Sequence, residues 1–71
     1  MNLFSPKKLL NSKWTKVKPL NNERHFIVTD IKFDENGEVI ECIIEAVISK
    51  QSKYIDWIEF KNDKIWIQGW K

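Results

Sequence analysis

The 71-residue sequence is poor in the residues that support catalysis, metal binding or disulfide formation. It contains one cysteine, Cys42, one histidine, His25, and two glycines. A single cysteine excludes an internal disulfide and fits a reducing compartment, and one cysteine with one histidine is too few for a tetrahedral zinc site. Two glycines do not make a glycine-rich phosphate loop. These shortages predict a protein that is not an enzyme and that holds no metal or cofactor.

Long apolar runs are also absent from the sequence. No stretch approaches the roughly 20 residues of a membrane-spanning helix. The first residues, MNLFSPKK, lack the apolar segment of a secretory signal. We therefore expect a cytoplasmic protein with no membrane partner. The short chain predicts one marginally stable domain over residues 1–71, with residues 1–4 as a flexible lead.

Neither sign of charge is in large excess overall, since the formal net charge is only +2. Each sign is nevertheless concentrated in part of the chain. Residues 1–32 carry seven basic and two acidic side chains, and residues 33–49 carry five acidic and no basic ones. Residues 50–71 carry five basic and three acidic side chains. The mild total argues against a dedicated nucleic-acid binder. It leaves room for a basic face beside an acidic one.

Alternating β-branched and aromatic residues predict a mainly β fold. Ser5 and Pro6 suit the start of a short helix over residues 5–11. A β domain over residues 13–71 follows, and the Asn36-Gly37 pair predicts a hairpin between its second and third strands. The five strands are expected over these ranges: 13–18, 25–33, 39–49, 54–60 and 64–70.

Five short antiparallel strands predict a small, strongly twisted sheet. Such a sheet either curls into a partly closed barrel or packs beneath the N-terminal helix, because a flat sheet would expose one face and two edges. We favour the rolled form. The third strand has one uninterrupted apolar face, which predicts the following core residues: Ile40, Cys42, Ile44, Ala46 and Ile48.

The four tryptophans are either outward-facing or buried, and the last strand, KIWIQGWK, illustrates both interpretations. If Ile65 and Ile67 face the interior, the tryptophans of this strand face outward. The same alternation puts Thr15 and Val17 of the first strand inside. Because the first and last strands of a rolled sheet lie close together, their outward residues would form one surface: Trp14, Lys16, Lys18, Trp66, Gln68 and Trp70, edged by Lys13, Lys64 and Lys71.

A surface of tryptophan and lysine is suited to single-stranded nucleic acid, RNA above all. Indole rings stack on bases, and ammonium groups contact phosphates. Binding would then depend steeply on salt, and replacing Trp14 or Trp66 with alanine would weaken it by about 1–3 kcal/mol. The same residues would also form a hot spot for a protein partner.

The alternative is that the tryptophans are structural. The N-terminal helix needs an apolar bed, and Phe4, Leu9 or Leu10 would cover Trp14, Trp66 or Trp70. The chain would then be a protein-interaction module or homodimer without nucleic-acid activity, using an exposed strand edge or its acidic stretch. Cys42 is expected to be an inert core thiol. Asp56 is expected to accept hydrogen bonds from a tryptophan indole or from turn backbone.

Several short segments together resemble a family of small tryptophan-rich bacterial proteins whose domain has no known function. The segments are LLNSKWT, ERHFIV, CIIEAV, IDW and IQGWK, and the resemblance runs from about Leu9 to Lys71. Ile58 stands where the family pattern leads us to expect a basic residue. The resemblance implies no activity or cofactor, but it draws attention to these positions: Trp14, His25, Phe26, Asp56, Trp57, Trp66 and Trp70.

Overall fold

The computed structural model describes all 71 residues and shows a mainly β protein built on one five-stranded sheet. The strands are β1 (Lys13–Leu20), β2 (Glu23–Phe33), β3 (Val39–Ala46), β4 (Ser52–Tyr54) and β5 (Trp66–Gln68). Two short 3-10 helices, η1 (Pro6–Lys8) and η2 (Trp57–Lys61), precede β1 and separate β4 from β5. Neither helix is long and apolar enough to cross a membrane.

The strands follow the order β4-β3-β2-β1-β5, and every neighbouring pair is antiparallel. The first and last strands are therefore neighbours, as the sequence predicts. β4 and β5 are the two edges of the sheet and do not meet, so the sheet stays open. The mainly β, five-stranded antiparallel class is confirmed, and the closing of the sheet that we favoured is not seen.

Two elements differ from the sequence-based prediction. The expected helix over residues 5–11 is reduced to the single 3-10 turn of η1, and its Ser5 makes no side-chain cap hydrogen bond. The expected strand over residues 54–60 is wrong, because most of that stretch forms η2. The actual fourth strand is the preceding polar segment, which pairs with β3 at residues 43–45.

The hairpin between β2 and β3 is confirmed, with one difference in its turn. The Asp34 carboxylate accepts hydrogen bonds from the backbone N–H groups of Asn36 and Glu38, both at 2.9 Å. Only Gly37 takes a positive φ, +80°, whereas a two-residue Asn-Gly turn would require one at Asn36 too. The aspartate side chain thus organises a longer turn than the expected one.

The core lies on the sheet face that carries the tryptophans. Trp14 is opposite Phe26 on β2, and Trp66 is opposite Lys16, so these side chains share one face. Phe60 of η2 packs against this face between the two indoles. The buried apolar residues are Leu9, Trp14, Phe26, Val28, Cys42, Ile44, Ala46, Phe60 and Trp66.

The prediction that isoleucine faces inward along the last strand is therefore wrong for Ile67, which is exposed, while Ile65 is half-buried. Val17, expected inside, is exposed as well. An indole buries about 150–250 Å², which at about 25 cal/mol per Å² is worth roughly 4–6 kcal/mol. Burying two tryptophans therefore stabilises the fold more than burying Val17 and Ile67 would. The N-terminal segment and η2 cover one face of the sheet, and the two tryptophans occupy that face.

The predicted core face of the third strand is correct at its centre and wrong at both ends. Cys42, Ile44 and Ala46 are buried, but Ile40 and Ile48 are 64% and 73% exposed. Ile48 lies beyond the last residue of β3, in the turn toward β4. Ile40 is the extra residue of a β-bulge, where the pairing with β2 shifts between Glu41 and Val39, and its side chain lines a cleft.

The N-terminal segment is held against η2 and β5 by Asn2. Its side-chain amide donates to the carbonyl of Phe60 at 3.0 Å and to that of Trp66 at 2.7 Å. Its backbone N–H donates to the Lys61 carbonyl at 3.0 Å. Phe4 then contacts the edge of Trp14, with 5.4 Å between ring centroids. This segment seals the tryptophan face from outside.

Candidate functional site

The predicted tryptophan and lysine surface does not exist as one surface, because its members lie on opposite faces of the sheet. Trp14, Lys16, Trp66 and Gln68 share the core face through the pairing of β1 with β5. Lys13 belongs to the other face by strand alternation, and Trp70 lies there beside it.

Trp14 and Trp66 are sealed in the interior. Trp14 is 2% exposed, stacks on Phe60 with 4.3 Å between ring centroids, and donates its indole N–H to the Ser12 hydroxyl at 2.8 Å. Trp66 is 0% exposed and donates to the Glu59 carboxylate at 3.0 Å. Their predicted outward orientation is wrong, and the alternative, a tryptophan core beneath Phe4 and Leu9, is what the structure shows.

The other residues predicted for the tryptophan and lysine surface have separate surroundings. The Lys16 ammonium lies 5.2 Å from the centroid of the Trp66 ring, close enough for a cation–π contact. Gln68 is exposed, and its amide donates to the Leu3 carbonyl at 3.0 Å. Lys18 and Lys64 are exposed, Lys18 in β1 and Lys64 in the turn before β5. Because Trp14 and Trp66 are buried, these residues form no stacking surface with them.

Trp70 is the one predicted tryptophan that stays accessible. It is 42% exposed and lies on the open face, where its indole N–H donates to the Phe26 carbonyl at 3.0 Å. The Lys13 ammonium lies 4.9 Å from its ring centroid, and the His25 ring centroid lies 5.9 Å away. The buried Thr15 hydroxyl holds the C-terminal residues on this face by donating to the Gly69 carbonyl at 2.7 Å.

The largest concavity lies elsewhere, between the β2–β3 hairpin and the start of η2. This hairpin cleft has a volume of about 630 Å³. Two of its apolar lining residues, Ile40 and Ile58, are 64% and 55% exposed. The complete lining is Pro6, Gly37, Glu38, Val39, Ile40, Glu41, Cys42, Ile55, Asp56, Trp57 and Ile58.

One wall of the hairpin cleft is a free strand edge. β4 pairs with β3 only at residues 43–45, and the last contact along that edge is the Ile55 N–H donating to the Cys42 carbonyl at 3.0 Å. The pairing of β3 with β2 shifts register here, from Lys32 opposite Glu41 to Phe33 opposite Val39, which makes Ile40 the extra residue of a β-bulge. The stretch Val39–Glu41 has no β4 partner and borders the space that the chain vacates when it turns into η2.

Asp56 produces that turn. Its carboxylate accepts a hydrogen bond from the Ile58 N–H at 3.1 Å and so acts as the N-cap of η2. This confirms the expectation that Asp56 accepts from turn backbone, while Glu59 is the acceptor for an indole. The cap redirects the chain away from the edge of β3 and leaves the cleft beside it.

The sequence carried two signals for η2 that the strand prediction overlooked. Asp56 followed three residues later by Glu59 is the spacing of a helix capping box. Trp57 and Phe60 are also three residues apart, the spacing that places two side chains on one side of a 3-10 helix. Both Trp57 and Phe60 pack against the core.

Cys42 lies at the inner end of the cleft lining and is 2% exposed. Burial raises the pKa of its thiol from the ordinary 9.0 to about 11. The thiol is therefore protonated at neutral pH and is a poor nucleophile. The predicted role of Cys42 as a core residue is confirmed.

These features define a class of protein: a small open antiparallel sheet with a tryptophan-centred core on one face and an apolar cleft at one strand edge. Residues 12–71 match the family model described as Tryptophan-rich protein (DUF2389), a family of unknown function. The chain belongs to that family, which confirms the resemblance seen in the sequence. No curated protein and no solved structure matches the chain.

Proposed function

We propose that this protein is a non-catalytic protein-interaction module that receives an extended segment of a partner in the hairpin cleft. The observation that carries the proposal is the uncovered edge of β3 at Val39–Glu41, bordered by the exposed side chains of Ile40 and Ile58. An extended segment that adds to a sheet edge gains main-chain hydrogen bonds, and neighbouring side-chain pockets give it specificity.

The cleft fits such a segment better than a compact ligand. The free edge is three residues long, which corresponds to about 10 Å of strand at about 3.3 Å per residue. The β-bulge at Ile40 interrupts this edge, so main-chain pairing supplies few hydrogen bonds. Contacts with Ile40, Ile58 and the half-buried Trp57 then contribute much of the affinity. The interaction is accordingly expected to be modest and reversible.

The experiment selects binders from a displayed library of short random peptides and measures their affinity by fluorescence anisotropy. Replacing Ile40 with serine removes apolar contact at the cleft, whereas Ile48→Ser makes the same change at an exposed site outside its lining. We expect Ile40→Ser alone to weaken the selected peptides. Peptides that bind both variants equally well, or a library that yields no binder, would contradict the proposal.

Single-stranded nucleic acid is a second candidate, and the specific observation that favours it is the Trp70 environment. Trp70 is accessible on the uncovered sheet face, with the Lys13 ammonium near its ring. One base would stack on this indole while Lys13 and Lys71 contact phosphates. This candidate has one stacking side chain in place of the three that the sequence predicted.

A labelled single-stranded RNA tests this candidate in a low-salt anisotropy titration. Trp70→Ala is expected to weaken binding by about 1–3 kcal/mol, the value of one stacked base. Lys13→Ala should lower both the affinity and its salt dependence, while Lys7→Ala, at an exposed lysine in η1, serves as a charge-matched control. The absence of any binding at low salt rules this candidate out.

A further inference from the structure

We infer that the partner segment received by the hairpin cleft is basic, with lysine or arginine next to an apolar residue along an extended chain. This inference rests on the proposed function and adds the chemistry of the partner. Its basis is the charge of the cleft: three lining residues are acidic, namely Glu38, Glu41 and Asp56, and none is basic.

Two of these carboxylates have no cationic partner within the protein. Glu41 forms an ion pair with the Lys32 ammonium at 3.4 Å. No lysine, arginine or histidine nitrogen lies within 4.0 Å of a carboxylate oxygen of Glu38 or Asp56. Uncompensated charge beside an apolar surface repels acidic segments and favours a partner of the opposite sign. A nucleic-acid strand, which is itself anionic, is excluded from this cleft by the same repulsion.

The lining of the cleft explains why basic and apolar residues should be adjacent in the partner. The exposed side chains of Ile40 and Ile58 share this lining with the unpaired carboxylates of Glu38 and Asp56. Each isoleucine lies two residues from one of these carboxylates in the sequence. A segment that covers an isoleucine with an apolar residue therefore brings its neighbouring residue close to a carboxylate, where a basic side chain is favoured.

Two lysines of the neighbouring elements β4 and η2 contact aromatic rings and form no ion pair with the cleft carboxylates. The ammonium of Lys61 lies 5.0 Å from the Trp57 ring centroid, and that of Lys53 lies 5.8 Å from the Phe26 ring centroid. Neither residue lines the cleft. The unpaired carboxylates of Glu38 and Asp56 thus remain available to an incoming cation.

The test uses the same peptide selection and a pair of charge-matched double variants of the full chain. Glu38→Gln with Asp56→Asn removes the two unpaired cleft charges, and asparagine at position 56 retains a good N-cap. Glu35→Gln with Asp30→Asn removes two exposed charges that do not line the cleft.

We expect the wild-type protein to select peptides with lysine or arginine beside an apolar residue. The cleft variant should bind them about tenfold more weakly, which is about 1.4 kcal/mol, and the control variant should bind them as the wild type does.

The outcomes separate the inference from the proposed function. Selected peptides that depend on Ile40 but lack basic residues, or that bind the cleft variant at full strength, overturn the inference and leave the interaction module standing. Binding that ignores Ile40 overturns both. A dimer in light scattering that Ile40→Ser abolishes would identify a second copy of this chain as the occupant, and this also overturns the inference.

Discussion

At the scale of single residues, the four tryptophans have different roles although the sequence presents them alike. Trp14 and Trp66 form the interior with Phe60, whereas Trp70 is 42% exposed on the open face and Trp57 is half-buried beside the hairpin cleft. Residue type alone does not separate a core indole from a binding indole. The elements that cover each ring make that distinction.

This difference predicts unequal effects on stability. Trp66→Ala is expected to lower the free energy of unfolding by about 3–5 kcal/mol, because it empties a fully buried site. Trp66→Phe keeps part of the packing and should cost less. Trp70→Ala should cost less than Trp66→Ala, since the side chain already contacts solvent. Urea unfolding followed by circular dichroism measures all three. Equal losses at positions 66 and 70 would show that both rings are buried in solution.

The buried thiol of Cys42 is expected to make the free energy of unfolding depend on pH in the alkaline range. In the fold the pKa of its thiol is raised to about 11, so the unfolded chain loses this proton first as the pH rises above 9.0. The contribution of the thiol to stability is complete below that pH and is lost as the pH rises through about 11. Urea midpoints of the wild type should therefore fall more steeply over this range than those of Cys42→Ala, which lacks the titrating group. Parallel slopes would contradict a buried thiol.

At the scale of secondary structure, the carboxylate that caps η2 decides where the sheet ends. The segment Ile55–Asp56–Trp57 could have continued β4 along β3, and the cap directs it into a helix instead. Phe60 is thereby placed between Trp14 and Trp66. A local hydrogen bond and a tertiary packing site thus act together.

Asp56→Ala is expected to destabilise the protein by about 0.5–2 kcal/mol, the usual cost of losing an N-cap. Asp56→Asn should cost much less, because its side-chain oxygen still accepts from the Ile58 N–H. Thermal unfolding of the two variants beside the wild type makes the comparison. If alanine and asparagine behave alike, the cap does not hold η2 in place.

The elements that local sequence determines were predictable, and those that depend on covering segments were not. The hairpin between β2 and β3, the buried centre of β3 and the closeness of β1 and β5 follow from turn chemistry and alternation, although the exact turn does not. The orientation of Trp14 and Trp66 depends on the N-terminal segment and on η2. The N-terminal segment lies far from Trp66 in the sequence, and η2 lies far from Trp14. The hairpin cleft arises where the chain leaves β3, and no alternation pattern marks that point.

At the scale of the whole molecule, the sheet has one sealed face and one open face. The N-terminal segment and η2 close the first, and their connection passes through Asn2, whose amide donates to two backbone carbonyls. Burial of the tryptophan core therefore depends on a polar residue near the start of the chain.

Asn2→Ala is expected to destabilise the protein by about 1–3 kcal/mol, because two carbonyl groups in the part-buried contact lose their donor. Asn2→Asp should be at least as damaging, since its carboxylate oxygens would face the same acceptors without donating. Urea unfolding and the emission maximum of the tryptophans record both effects. A neutral Asn2→Asp variant would show that this contact does not hold the segment.

The indole nitrogens distinguish the tryptophans in one further way. Those of Trp14, Trp66 and Trp70 donate to protein acceptors, and that of Trp57 does not. In deuterated buffer the Trp57 indole proton should accordingly exchange first and leave the other three visible in the NMR spectrum. Because this ring lines the hairpin cleft, the protein carries its own label-free reporter of occupancy, and retarded exchange at that single resonance would report an arriving segment.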